Sequence, residues 1–204
     1  MACRGEYQWD GAMGLAEARK YIAWLHKKQN DPGCWPDYVT GLPGRAATLR
    51  QLDLVYPRLG RYAASYIRIS NIYPFLIKYG YEHHTDLIEW AAAILKTTAD
   101  RVRGSFVGTM DSHDFVVISR RTELDGILEA ARVLFAKKAR SLYSPEDRRR
   151  GVIISFKSAG GGSVRVGLMG LVCASAAEKP PVSRADFLPY LAGLCSRMEK
   201  AEKV

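Results

Sequence analysis

The sequence predicts an α/β or α+β sandwich built on one central sheet. Apolar runs rich in β-branched residues occur among longer amphipathic segments, which is typical of strands mixed with helices. Two short apolar runs joined by a tight polar turn, Phe106–Ile118, predict a β-hairpin. With 204 residues, 48% of them hydrophobic, the chain is long enough for one domain and a small appendage.

The appendage is predicted at the N-terminus. Apolar residues recur at helical spacing from Met13 to Gln29, and the stretch Asn30–Gly33 ends the pattern. An isolated helix of this length is marginal in water, so we expect it to pack on the main domain or on a partner, such as a second copy in a homodimer. We therefore divide the chain into an N-terminal helical extension, residues 1–36, and a main domain, residues 37–204.

In the first half of the main domain, the sequence predicts three helices and one strand. Thr85–Thr98 carries the clearest helical periodicity, with Thr85 or His84 as the candidate cap. Pro74 fits the first turn of a short helix. The predicted elements are helices over Ala46–Val55, Ile72–Tyr79 and Thr85–Thr98 and a strand over Arg61–Ile69.

The second half predicts two amphipathic helices and two strands after the hairpin. Ser183 is the candidate cap of the last helix. Gly160–Gly162 predicts a loop between the two strands. The predicted elements are a helix over Glu123–Arg140, a turn over Tyr143–Asp147, strands over Gly151–Lys157 and Val164–Ala174 and a helix over Ser183–Lys200.

The net charge is +9, with a pI near 9.5, and this admits an acidic partner or merely a basic surface. The basic residues are spread along the chain, so we favour the basic surface and expect no nucleic acid. The densest group is Arg148–Arg150, with Lys137, Lys138 and Arg140 shortly before it.

Cysteine spacing and hydropathy predict a cytoplasmic protein. No pair of the four cysteines has Cys-x-x-Cys spacing, which suggests a reducing compartment. No apolar run approaches the ~20 residues of a membrane span, and the N-terminus lacks the apolar core of a signal peptide.

Three stretches together resemble a known family. Asp37–Arg45 is similar to Asp-x-Leu-Thr-x-Leu-x-Asn-Arg, and Lys78–Tyr81 precedes Asp86 and an apolar helix. The hairpin places Asp-Ser-His-Asp-Phe, Asp111–Phe115, where a five-residue signature belongs. In register, over about residues 37 to 201, these stretches resemble the GGDEF domain of diguanylate cyclases. The resemblance implies a central, mostly antiparallel sheet flanked by helices, as in the palm of nucleotide cyclases.

The resemblance also implies two carboxylates for divalent metal, one ending the first strand and one at the third signature position. A cyclase needs such ions to neutralise GTP triphosphates. Here the two positions hold Arg68 and His113, and a second strand-end aspartate position holds Ser70. A guanidinium repels Mg²⁺, and a neutral imidazole prefers softer metals. We therefore expect no metal site.

The implied phosphate and base contacts are altered as well. The two signature glycines correspond to Asp111 and Ser112, and the guanine-binding asparagine corresponds to Leu76. Asp86 keeps the other guanine contact, although it is equally well explained as a first-turn helix residue. We therefore expect a degenerate GGDEF domain that is not an enzyme, with no catalytic residues and no cofactor.

The remaining candidates are basic or structural. The family's inhibitory Arg-x-x-Asp corresponds to a window in which Arg101 and Arg103 could bind phosphate, or could simply form a basic turn after a helix. Asp114 and Phe115 are expected to start a strand and to fill the core. Arg68 is predicted to form a salt bridge with Asp111.

The function predicted from this pattern is an inactive GGDEF-like signalling module that binds an unidentified protein partner in bacterial cyclic di-GMP regulation. The alternative is a non-catalytic sensor that binds cyclic di-GMP or GTP through Arg68, Arg101 and Arg103. An enzyme of altered chemistry, resting on Asp111, His113 and Asp114, also stays open.

Overall fold

The computed structural model describes Arg19, residues 36–157 and residues 163–201. The predicted helix from Met13 to Gln29, and with it the homodimer contact, lies outside the described residues, as does the Gly160–Gly162 loop. The division into an extension and a main domain therefore stays a prediction.

Helices and strands mix along the described chain as the sequence predicts, and the bounds of the second predicted helix are confirmed at both ends. The strands are β1 Tyr62–Ser70, β2 Phe106–Asp111, β3 Asp114–Arg120, β4 Val152–Lys157, β5 Ser163–Gly167 and β6 Gly170–Ala176. The helices are α1 Arg45–Val55, α2 Ile72–Tyr79, α3 His84–Asp100, α4 Arg121–Arg140, α5 Pro145–Arg150 and α6 Phe187–Ala201.

The central sheet is antiparallel throughout, with strand order β2-β3-β1-β6. Strands β4 and β5 form a separate two-stranded sheet. The single strand predicted over Val164–Ala174 is therefore wrong, because the chain leaves the small sheet after Gly167 and enters the central sheet at Gly170. Between them Met169 is buried, and its N–H donates to the hydroxyl of Tyr143 at 2.8 Å, which fixes the crossing.

Hydrophobic packing covers both faces of the central sheet. On one face Ile67, Phe115 and Val117 join the core formed with α2, α3 and α4. On the other face alternate strand residues, such as Tyr66 and Val116, pack with α1 and α6. The fold is thus a central sheet flanked by helices.

Two predicted helix caps are wrong, and one predicted turn is a helix. Helix α3 begins at His84 after His83, which makes no side-chain capping bond, so neither Thr85 nor His84 is the cap. Ser183 caps a turn rather than α6, since its Oγ accepts the N–H of Asp186 before the helix starts at Phe187.

The third difference is α5, where the sequence predicted only a turn. Its Ser144 hydroxyl accepts the N–H of Asp147, and Pro145 occupies the first turn. Gly151 ends the helix with a φ of 72°. The predicted turn is therefore the start of a helix. The sequence Ser-Pro-Glu-Asp suits a helix start as well as a turn.

Helix α1 approaches the sheet closely at Gly108. A Cβ atom there would overlap Thr48 Oγ1 and lie 2.9 Å from Phe106 Cε1. We expect Gly108→Ala to lower the free energy of unfolding by about 1–2 kcal/mol in urea titrations, because α1 must shift. Gly126→Ala is the control, since Gly126 is exposed in α4 with no atom within 4 Å of the added Cβ. Equal effects of both changes would contradict the close approach.

Within the described residues, no helix combines the length and the apolar character that crossing a bilayer requires.

Candidate functional site

The five signature residues point in different directions from the β2–β3 turn. Asp111 and Ser112 are exposed, and the Asp111 carboxylate accepts the N–H of Ser112 at 2.8 Å. The His113 ring contacts Tyr73 of α2 edge to face, with centroids 5.5 Å apart. Asp114 is 4% exposed and Phe115 is fully buried. The predictions that Asp114 starts a strand and Phe115 fills the core are confirmed.

Arg68 and Asp114 form a two-pronged ion pair across neighbouring strands. Arg68 Nε lies 2.7 Å from Asp114 Oδ1, and Nη2 lies 2.9 Å from Oδ2. The hydroxyl of Tyr66 donates to Oδ2 at 2.7 Å, and Arg68 Nη1 donates to Ser196 of α6 at 3.1 Å. We call these four residues, Tyr66, Arg68, Asp114 and Ser196, the Arg68 network.

The β-sheet register creates this network. Arg68 stands directly opposite Asp114 in the β1–β3 pairing. Tyr66 is two residues before Arg68, so both side chains lie on the face that α6 covers. Paired charges with this geometry offset the cost of burying the carboxylate.

The surroundings of Arg68 and Tyr66 fix the protonation of these two side chains at neutral pH. The hydrogen bond to Asp114 raises the pKa of the Arg68 guanidinium further above its usual value. Burial, aided by the Asp114 carboxylate, raises the pKa of Tyr66. Burial also raises the pKa of the neighbouring Cys195 thiol to about 12. Arg68 is therefore a cation, and the phenol and the thiol are neutral.

The predicted salt bridge between Arg68 and Asp111 is wrong, because Arg68 pairs with Asp114. Strand β3 lies between β1 and β2, so Asp111 at the end of β2 is two strands away from Arg68. The exposed Asp111 carboxylate instead caps its own turn.

The residues at the implied metal positions do not fit Mg²⁺. Arg68 brings a positive charge that is already committed to Asp114. Ser70 is 3% exposed and its hydroxyl donates to the Gly170 carbonyl at 3.3 Å. Among residues 36–157 and 163–201, no group of three or more His, Cys, Asp or Glu side chains is placed to hold a metal ion. Arg68 and Ser70 therefore could not hold a metal ion that takes part in a reaction.

A cleft of about 340 Å³, the hairpin cleft, lies where the end of β2 meets the start of α3 and the turn that precedes α1. Asp37 holds that turn, since its Oδ1 accepts the N–H groups of Val39 and Thr40. Arg45 Nη1 donates to the Met110 carbonyl at 3.3 Å. The lining residues are Asp37–Thr40, Arg45, His84, Thr85, Ile88 and Thr109–Ser112.

The other predicted site residues are not gathered at this cleft. Leu76 is buried in the core, and Asp86 is exposed in the first turn of α3. Arg101 and Arg103 are exposed beyond the other end of α3. A helix of 17 residues is about 25 Å long, so these arginines cannot share one small ligand with the cleft.

Sequence reasoning missed two members of the Arg68 network. The two-residue spacing of Tyr66 and Arg68 on a predicted strand was a usable signal for Tyr66. Nothing in the sequence indicated Ser196, because it contacts Arg68 across 128 positions of the chain. Asp37 and Arg45 were recognised as a motif but not as part of a cleft.

Sequence comparisons find no relative: no family model matches the chain, and no curated protein matches it. Comparison with solved structures does find similar folds. The coiled coil and GGDEF domain of DgcB from Caulobacter crescentus, in complex with cyclic di-GMP, is 16% identical with a TM-score of 0.62, over 91% of this chain and 90% of that chain.

Two structures from Pseudomonas aeruginosa are also similar. The diguanylate cyclase SiaD, in complex with its activator SiaC, is 12% identical with a TM-score of 0.57, over 92% of this chain and 67% of that chain. The FimX GGDEF domain is 12% identical with a TM-score of 0.54, over 81% of this chain and 94% of that chain. Together with the antiparallel sheet flanked by helices, these similarities show that the chain has the fold of the GGDEF domains of diguanylate cyclases.

Proposed function

We propose that this chain is a catalytically inactive GGDEF-like module that acts in the bacterial cytoplasm, in cyclic di-GMP signalling, by binding a protein partner. The observation that carries the proposal is the ion pair of Arg68 with Asp114. A guanidinium stands where the reaction needs a carboxylate for metal, and it also neutralises the one buried acid of the hairpin.

The hairpin cleft gives further support for inactivity. Asp111 lines it and places a negative charge where a triphosphate would have to lie. Leu76 presents an aliphatic side chain to the core and has no group that could recognise guanine. The negative charge in the cleft, the guanidinium at a metal-ligand position and the aliphatic side chain at the base-binding position thus all disfavour GTP turnover.

Binding to a protein is supported by an apolar stripe that starts at Tyr73, the residue that contacts His113 of the hairpin turn. Tyr73, Ile77 and Tyr81 are 50%, 57% and 62% exposed and recur at a spacing of four residues along and just after α2. Large side chains exposed along one helix face are typical of protein interaction surfaces. The similar protein SiaD was solved in complex with an activator protein.

An assay of GTP turnover tests the inactive half of the proposal. We expect purified chain, mixed with GTP and either Mg²⁺ or Mn²⁺, to form no cyclic di-GMP detectable by liquid chromatography. An active diguanylate cyclase in parallel is the positive control. Formation of cyclic di-GMP by this chain, abolished by boiling it first, would overturn the proposal.

The sensor is the second candidate function, because Arg101 and Arg103 are both exposed and offer guanidinium groups to a phosphate. Isothermal calorimetry with cyclic di-GMP and with GTP separates the candidates. Heat that disappears in the Arg101→Gln, Arg103→Gln double variant would favour the sensor, whereas no heat with either ligand would exclude it.

A further inference from the structure

We propose that the basic surface formed by the end of α4 and by α5 is a docking site for an acidic, Asp/Glu-rich segment of the partner protein. We call this the arginine surface and define it by Lys137, Lys138, Arg140, Arg148 and Arg149. The inference rests on the proposed function, in which the chain acts by binding a protein, and it gives the chemistry of that partner.

Three arginines line one open concavity. It measures about 570 Å³ and is lined by Arg140, Pro145, Arg148 and Arg149. All three arginines are exposed, although they come from two different helices. The fold therefore gathers cations that the sequence separates, since Arg140 and Arg148 are eight residues apart.

Within positions 137–150, few acidic side chains could neutralise the arginine surface. Between positions 137 and 150 six Lys and Arg residues are exposed, against one exposed acid, Glu146. The Glu146 carboxylate bonds Arg150, the cation outside the surface as defined. The remaining acid, Asp147, is 1% exposed and bonds Lys78 and Tyr79 in the interior.

The surface is also held in shape before any partner binds. The Arg140 guanidinium lies 3.4 Å from the Arg148 carbonyl, which joins α4 to α5. Lys138 Nζ lies 4.0 Å from the ring centroid of Trp90 on α3. The carbonyl ends of α4 and α5 reduce the repulsion among the cations gathered there. A preformed site loses less entropy on binding.

Carboxylates of a protein segment suit this surface better than nucleic acid does. Each guanidinium can bind a carboxylate through two parallel hydrogen bonds. Single-stranded nucleic acid is usually bound with bases stacked on aromatic side chains. None of the described residues that line the concavity is aromatic. The nearby Trp90 ring is covered by Lys138.

Fluorescence anisotropy of a fluorescein-labelled oligoglutamate, titrated with the full chain, tests the proposal. We expect binding to weaken about tenfold in the Arg148→Gln, Arg149→Gln variant, which is the loss of two exposed charge pairs. The matched control is Arg58→Gln, Arg120→Gln, which removes the same charge. Arg58 and Arg120 are both exposed. Arg120 comes directly before the first residue of α4, and the 20 residues of that helix place it about 30 Å from Arg140.

Equal weakening in the two variants would overturn the proposal, because it would mean that net charge alone binds the peptide. Tighter binding of an oligothymidylate of equal length, lost in the Arg148→Gln, Arg149→Gln variant, would also overturn it and would point to nucleic acid. Absence of peptide binding by the wild-type chain would do the same. The peptide titration is independent of the GTP assay, so cyclase activity would refute the proposed function without deciding whether the surface binds acidic peptide.

Discussion

Replacing Arg68 with alanine is expected to lower the free energy of unfolding by about 3 kcal/mol. The substitution leaves Asp114, which is 4% exposed, without the cation that donates to both of its carboxylate oxygens. Only the Tyr66 hydroxyl would still donate to that carboxylate within the network. Urea denaturation followed by circular dichroism measures the change.

Two further variants show whether the buried charge is the cause. Arg184→Ala removes a similar pair, with Nε 2.8 Å from Asp53 Oδ1, but both of its side chains are more than half exposed. We expect that variant to unfold close to the wild type. Arg68→Met combined with Asp114→Asn leaves no unpaired charge at position 114 and should recover part of the loss. If the Arg68→Ala variant proved as stable as the Arg184→Ala variant, the Arg68 network would not stabilise the fold as we expect.

Replacing Asp147 with asparagine is expected to cost about 2 kcal/mol of unfolding free energy at neutral pH. Asp147 Oδ2 accepts a hydrogen bond from Lys78 Nζ at 2.7 Å and another from the Tyr79 hydroxyl. An amide oxygen in its place can still accept a hydrogen bond but carries no negative charge to pair with the ammonium group. The carboxylate therefore joins α2 to α5 through a charged bond that the variant lacks.

This second effect should depend on pH with a definite sign. Lys78, and after it Tyr79, hold the pKa of Asp147 below its usual value. The stabilisation by the carboxylate is then complete above the unfolded pKa of about 4 and is lost as the pH falls through the lower folded-state pKa. Unfolding titrations should show the gap between wild type and Asp147→Asn narrowing in acid. A gap that stays constant from neutral to acidic pH would refute the assignment, and Asp53→Asn, at an exposed carboxylate, is the control.

The sequence predicted those features that local patterns determine. Short apolar runs indicated β1 and the hairpin, and helical periodicity indicated α3, because each signal lies within a short stretch of chain. Burial of Phe115 followed from its place in an apolar strand. The family resemblance added the sheet as a whole, which local patterns do not specify.

Features that depend on long-range register were beyond the sequence. Arg68 and Asp114 are 46 positions apart, and only the β1–β3 pairing decides that Arg68 meets Asp114 and not Asp111. The break between β5 and β6 depends on a hydrogen bond from Met169 to Tyr143. The sequence shows the basic cluster that forms the arginine surface, but only the packing of α4 beside α5 brings Arg140 to Arg148.

The Arg68–Asp114 pair also restricts how this protein can evolve. Changing Arg68 alone to aspartate would set two carboxylates opposite each other on neighbouring strands, where like charges repel and one must bind a proton. Changing His113 alone to an acid would add a ligand while the guanidinium still repels the metal. Neither single step therefore creates a metal-binding pair. On the proposed function, the Arg68–Asp114 pair would make loss of the cyclase reaction easier to keep than to reverse.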